Sequence, residues 1–249
     1  MLLNVQDISF GFSPEKQIFT NLTLHIDQGL IYALMGGNGS GKTTLFNIIT
    51  GFHKVGLGGI FFKDNDITNA DPYKINRMGI CRTFQDLRLI SKLTVRENIL
   101  LAMPGNPTDS WVKALLPATV FKDDLHSLEG IADKVTESFF LKEVQHSPAG
   151  EISFGQQKLL NLACCVANGA ELLLLDEPVA GISPHYRDQM TLLIQQLKQQ
   201  GKTILMIEHN TDFVTGTADR FLFMDEGKIS AFDTYIQLKN SDQAANAYF

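Results

Sequence analysis

The chain has 249 residues, 44% of them hydrophobic, long enough to bury one large α/β core with an insertion. Its formal net charge of −6 leaves no basic footprint for nucleic acid. No apolar run approaches the roughly 18 residues needed to cross a bilayer and no basic, apolar signal region opens the chain, so any membrane role has to come through a partner.

From Leu2 to Phe10 the sequence reads as an edge strand, and Leu22 to Asp27 alternates as an antiparallel strand would, which implies a small N-terminal sheet. Between them Phe10-Gly11-Phe12-Ser13-Pro14 is rich in turn residues. Alternation from Ile8 puts Phe10 on the core face and leaves Phe12 as either a core or hinge aromatic or a ring able to stack on a purine. The apolar run Leu30 to Met35 then leads into Gly36-Gly37-Asn38-Gly39-Ser40-Gly41-Lys42-Thr43-Thr44, which has the spacing G-x-x-x-x-G-K-[ST], followed by the helix-like Thr44 to Ile49. Strand, glycine loop and helix are the context of a phosphate-binding loop. Glycines let successive N–H groups turn into one concavity, and the following helix adds its positive N-terminal end. Lys42 is the mobile charge for β- and γ-phosphates, and the Thr43 hydroxyl suits the octahedral shell of Mg²⁺.

Further along, Gly51 ends that helix, Ile60-Phe61-Phe62 forms a strand turning at Lys63-Asp64-Asn65-Asp66, and a short helix is expected after Asp71-Pro72. A short strand from Gly79 ends in Gln85, which is either an ordinary loop amide or a ligand at a strand tip. From Leu93 to Gly150 helices broken by Pro104, Pro107, Pro117 and Pro148 replace the strands. This predicts a helical subdomain over 93–150 inserted between two halves of an α/β core, 1–92 and 151–249. Asp109 to Phe121, with Trp111, offers no reading beyond packing. The three cysteines, Cys81, Cys164 and Cys165, lack zinc spacing and read as buried thiols in a reducing cytoplasm.

Ser153 stands where it can cap the helix that includes Leu159 to Val166, and a helix start fronted by Ser153 and Gly155 is either an ordinary cap or a second phosphate site. Leu172 to Leu175 reads as a buried parallel strand ending in Asp176-Glu177-Pro178. Asp176 at its tip can hold Mg²⁺ through water, and Glu177, pointing elsewhere, can polarise an attacking water. Pro184 to Gln200 is an amphipathic helix, and Lys202 to Ile207 is a strand that delivers Glu208-His209 to the same sheet edge. Arg220 to Asp225 and Gly227 to Phe232 form a hairpin, and Thr234 to Phe249 looks helical.

The ordered set resembles the nucleotide-binding ATPase of an ABC transporter over nearly the whole chain. In that family's terms Gly36 to Thr43 matches the Walker A loop, Gln85 the Q-loop, Ile152-Ser153-Phe154-Gly155-Gln156 the signature, and Leu172 to Asp176 the Walker B strand. Glu177 matches the catalytic base, Ala180-Gly181-Ile182-Ser183 the D-loop, His209 the switch histidine, and Phe12 the aromatic that stacks on adenine. Arg82-Thr83-Phe84-Gln85, Leu93 to Asn98, Glu177 to Gly181 and Glu208-His209-Asn210 are similar to the branch serving branched-chain amino acid importers. Gly37, Asp64, Phe154 and Ser183 depart from that branch's usual residues, and Ala247-Tyr248-Phe249 shortens its usual tail.

The resemblance implies a P-loop NTPase core with a mostly parallel sheet, an N-terminal antiparallel β subdomain and an inserted helical subdomain. It implies an ATPase using ATP and Mg²⁺, with the metal on Thr43, Gln85 and Asp176, and with Gln85 and His209 at the γ-phosphate. ATP on the Walker A loop, Gly36 through Thr43, and on the adjoining Thr44 would be capped by Ser153, Gly155 and Gln156 of a second ATPase subunit. The same resemblance implies membrane permease partners, contact with the membrane only through them, and a cytoplasmic, peripheral location. The alternative from another class, a soluble ABC-type ATPase acting on ribosomes or DNA, predicts tandem halves, a long coiled-coil insertion or basic patches, which this sequence lacks.

Overall fold

The computed structural model describes residues 1–13, 15–85, 87–104 and 122–241. They fall into two compact units: Met1–Arg82, Glu171–Pro178 and the chain from Ile194 onward form the first, and Thr83–Ala170 with Val179–Leu193 the second.

The first unit contains two sheets. Strands β1 (Leu3–Ser13), β2 (Lys16–Ile26), β4 (Leu57–Phe62) and β5 (Asn65–Asp66) make an antiparallel sheet in the order β2-β1-β4-β5. Strand β1 is therefore interior, not the edge strand that its sequence suggests, because β4 covers its other side, pairing Leu3 with Phe62 and Val5 with Ile60. That pairing is non-local and leaves no mark in the local pattern. The segment from Phe10 to Ser13, read as turn from its composition, also belongs to β1. Gly11 is there for close approach: a Cβ on it would sit 2.7 Å from the Lys16 carbonyl oxygen of β2.

The other sheet runs β10 (Lys228–Phe232), β9 (Arg220–Asp225), β3 (Ile31–Met35), β8 (Thr203–Ile207), β7 (Leu172–Asp176), β6 (Ile80–Arg82). Pairing is parallel throughout except for the β9–β10 hairpin. Strands β3, β7 and β8 are buried at every residue, as expected of strands covered on both faces. Their register fixes the site: Ile207 pairs with Leu34 on one side and with Asp176 on the other. The chain leaving β3, β7 and β8 thus emerges at one sheet edge, the carboxyl edge where open α/β sheets bind ligands. Helix α1 (Lys42–Ile49) follows the glycine loop, and α2 (Pro72–Arg77) starts with proline after Asp71. Strand β6 is shorter than the sequence suggests and stops at Arg82, so Gln85 lies in the segment beyond it.

The second unit is helical. Helix α3 (Val95–Ala102) opens on a capping box between Thr94 and Glu97, and packs against α4 (Lys122–Ser138) and α5 (Phe154–Ala167). Arg96 on α3 binds Asp133 on α4 at 2.7 Å, and the buried Asn98 amide donates to the carbonyls of Ile90, Leu93 and Thr94. This unit is larger than the helix-rich stretch 93–150, since α5 belongs to it. Trp111 lies outside the described residues. Helix α6 (Pro184–Gln199) begins in the second unit and continues past Ile194 in the first. The first unit ends in α7 (Thr211–Thr217) and α8 (Tyr235–Lys239). The helix read as far as Phe249 can be followed only to α8, because 242–249 lie outside the described residues.

Leu205 sits in the middle of β8, fully buried between Tyr32 and Leu174 on the neighbouring strands. Leu205→Ala is expected to cost about 2–5 kcal/mol through lost transfer energy and the cavity left behind. Urea denaturation checks this, and a cost below roughly 1 kcal/mol would mean that the sheet core repacks freely.

Candidate functional site

The glycine loop between β3 and α1 is shaped by contacts as much as by flexibility. Gly41, at φ +108, caps α1, and a Cβ there would lie 2.6 Å from the Phe19 ring. Gly36, at φ +143, has the Met224 carbonyl oxygen where its Cβ would go, at 2.2 Å. The loop therefore rests directly on β2 and β9, and only glycine fits at either support. No side chain caps α1, so the first N–H groups of this helix are available to an anion. Asn38 and Gly39 are exposed at the loop crest, and Thr43 is exposed at the second position of α1, with Thr44 after it.

Lys42 is buried, and its ammonium folds back to donate to the carbonyls of Gly36 and Gly37, each at 2.8 Å, with Ser40 Oγ at 3.4 Å. Burial lowers its pKa from the usual lysine value, and the nearby carboxylates of Glu177 and Asp176 act in the opposite direction. The loop lysine and both acids thus share one electrostatic environment.

Asp176 ends β7, almost wholly buried, with Oδ2 2.8 Å from Arg82 Nη2. Arg82 also donates from Nη1 to Asn47 Oδ1 at 2.6 Å, and its guanidinium lies over the Phe46 ring. The P-loop helix, through Asn47, is joined to the acidic strand by one buried arginine. Glu177 follows at φ +49, a left-handed conformation that costs a non-glycine residue roughly 1–3 kcal/mol. Its N–H donates to the Ile207 carbonyl, and its carboxylate lies 3.7 Å from His209 Nε2. Glu208 is buried and accepts from the N–H groups of His209 and Asn210, which holds the turn that presents His209.

Phe12, on β1, is 60% exposed, far more than a core aromatic. It stands edge-on to Phe10 and His53, and His53 stacks on Phe10 with centroids 5.2 Å apart. Asn47 links this cluster to Arg82, since its amide nitrogen lies 3.3 Å from His53 Nε2.

Ser153, Gly155 and Gln156 are all in the second unit, at the start of α5. They form a complete capping box: Ser153 Oγ accepts from Gln156 N–H, and Gln156 Oε1 accepts from Ser153 N–H. Gln85 is exposed and also belongs to the second unit. The first unit therefore gathers the glycine loop, Lys42, Asp176, Glu177 and His209, while Gln85 and the α5 cap belong to the other unit.

Residues 19–180 match the family described as ABC transporter. The chain belongs to the ABC transporter family. It is similar to the high-affinity branched-chain amino acid transport ATP-binding protein LivG of Escherichia coli K12, with 34% identity across 99% of this chain and 97% of that protein. Among solved structures, it superposes on a nucleotide-free ATP-binding cassette from an ABC transporter with a TM-score of 0.82 and 30% identity, covering 100% and 98% of the two chains. A cassette in its ADP conformation gives a TM-score of 0.78, again at 30% identity, with coverage of 96% and 93%. As a family member the chain is an ATP-binding, ATP-hydrolysing transporter subunit. Among its described residues no helix is long and apolar enough to cross a membrane.

Residues outside the ABC motifs also shape the site. Arg82 belongs to the stretch Arg82-Thr83-Phe84-Gln85, and its pairing with Asp176 is invisible in sequence because β6 and β7 are remote in the chain. His53 carries no local signal at all. Since removing one member of a buried ion pair leaves the other uncompensated, Arg82→Met is expected to destabilise the protein by about 3–5 kcal/mol. Equal urea midpoints for Arg82→Met and the parent would show that Asp176 does not depend on this partner.

Proposed function

We propose that this chain hydrolyses Mg·ATP between two ATPase subunits closed head to tail beneath a membrane permease, and that the closure drives uptake of an amino acid. The observation that carries the reading is Glu177, held in a strained conformation beside His209 and within the field of buried Lys42. A left-handed glutamate at the tip of a buried strand is costly, and the strain is accounted for if that carboxylate must face a reacting group.

Lys42 would exchange the Gly36 and Gly37 carbonyls for β- and γ-phosphate oxygens, which hold its ammonium charged despite burial. Glu177 would orient the attacking water, and His209 would hold the γ-phosphate and the glutamate in register. The oxygen donors Thr43, Gln85 and Asp176 suit a hard cation that keeps water and phosphate in its shell, so they would hold Mg²⁺, which neutralises phosphate charge when bound. Exposed Phe12 would stack on adenine, worth about 1–3 kcal/mol by analogy with bases on aromatic rings. Ser153, Gly155 and Gln156 of a second subunit would close over the γ-phosphate, since the capped start of α5 offers hydroxyl and N–H donors to an anion. The solute assignment rests on LivG, which is named for branched-chain amino acid transport. Attachment at the cytoplasmic face would then come through the permease.

Glu177→Gln is expected to slow hydrolysis by at least about 10²-fold while ATP and Mg²⁺ still bind, so a closed dimer accumulates. Size-exclusion chromatography with light scattering checks this with and without Mg·ATP. A variant that remains monomeric at saturating Mg·ATP would contradict closure between two copies of this chain.

A further inference from the structure

Tyr186, near the start of α6, engages the signature in a way that the reaction described above does not use. Its hydroxyl lies 3.0 Å from Ser153 Oγ. Its ring covers Gly155 so closely that a Cβ there would sit 2.2 Å from Tyr186 Cδ2. It is this ring, rather than an unusual backbone angle, that demands glycine at position 155.

The protons at Ser153 can be counted. Ser153 N–H donates to Gln156 Oε1 at 2.9 Å, so that amide atom is an oxygen and can only accept. Gln156 N–H donates to Ser153 Oγ at 3.3 Å, which fills one lone pair of the hydroxyl oxygen. The single Ser153 proton has two acceptors at 3.0 Å, Gln156 Oε1 and the Tyr186 oxygen. Gln156 cannot return a proton from Oε1, whereas Tyr186 can donate its own. With the serine proton on Gln156, the tyrosine proton is free to occupy the second lone pair of Ser153.

We propose that Tyr186 is a positioning residue for the signature: its O–H donates to Ser153 Oγ and turns the serine proton toward the γ-phosphate of the partner's nucleotide. This rests on the composite site proposed above. When a phosphate oxygen replaces Gln156 Oε1 as acceptor, Tyr186 O–H, Ser153 O–H and the phosphate form one directional chain in which each bond strengthens the next. No covalent bond changes. Because Tyr186 follows the D-loop by only a few residues, it also ties that segment to the signature within one subunit, and Phe154 adds an apolar contact 3.3 Å from where a Gly181 Cβ would stand.

Tyr186→Phe keeps the ring on Gly155 and removes the donor. In the Glu177→Gln background it is expected to raise the Mg·ATP concentration needed for half-maximal dimerisation by roughly three- to tenfold, the worth of one hydrogen bond. Binding of fluorescent ATP to the monomer should not move, and the melting temperature should fall by no more than a few degrees, roughly the worth of one exposed hydrogen bond. If the tyrosine acts through the serine, Tyr186→Phe should have no further effect once Ser153→Ala is present. Unchanged dimerisation in Tyr186→Phe, or a full effect persisting in the Ser153→Ala protein, would overturn the proposal. If Glu177→Gln alone fails to dimerise, the composite site falls and this proposal with it. Parent dimerisation with no Tyr186 effect refutes the proposal alone.

Discussion

The parallel register at Ile207 is the constraint on which the site depends. By pairing with Leu34 and with Asp176, this one residue aligns the ends of three buried strands, so that the glycine loop, the paired acids and the histidine turn leave the sheet together. Parallel pairing gains little from any single hydrogen bond, and it is the burial of every residue of β3, β7 and β8 that fixes the register. A slip by one residue would exchange the two faces of a strand, so that each side chain met the close-packed surroundings shaped for its neighbour. The site is thus an outcome of core packing before any functional side chain is placed.

Polar groups then couple parts of that edge that the backbone leaves separate. Arg82 joins Asp176 to Asn47, and Asn47 reaches His53 beside the exposed Phe12. Arginine can only donate, so Asn47 Oδ1 must accept, its amide nitrogen must face the histidine, and His53 Nε2 must accept in turn. The row fixes one amide orientation and one tautomer, and it runs from the acid that ends β7 to the ring cluster around Phe12. In the helical unit a shorter row links the Tyr186 hydroxyl, the Ser153 hydroxyl and Gln156 Oε1.

Motifs with local geometry could be read in the sequence, and features created by distant pairing could not. The phosphate loop, the buried strand before Asp176 and the Ser153 cap are each specified by neighbouring residues, through glycine spacing, an unbroken apolar run and a capping box. Strand β1 reads as an edge because β2, β3 and α1 separate it in the chain from its partner β4, and Gly11 reads as a turn because close strand approach and turning both favour glycine. The counter-ion of Asp176 and the partner of Ser153 are sequence-remote contacts, set by the fold alone. Phe12 shows the boundary between the two cases, since alternation puts it near a turn while its exposure in the fold separates it from a core ring.

The central claim is that two copies of this chain complete each other's sites, with the phosphate loop of one facing the signature of the other. Subunit complementation tests it most directly. Lys42→Ala removes the loop's charge and keeps the signature, and Ser153→Arg blocks the signature and keeps the loop, so each protein alone should lack ATPase activity. Mixing them should restore activity, because every mixed dimer contains one site built from the intact loop of one chain and the intact signature of the other. A mixture as inactive as its components would contradict head-to-tail sharing of the site.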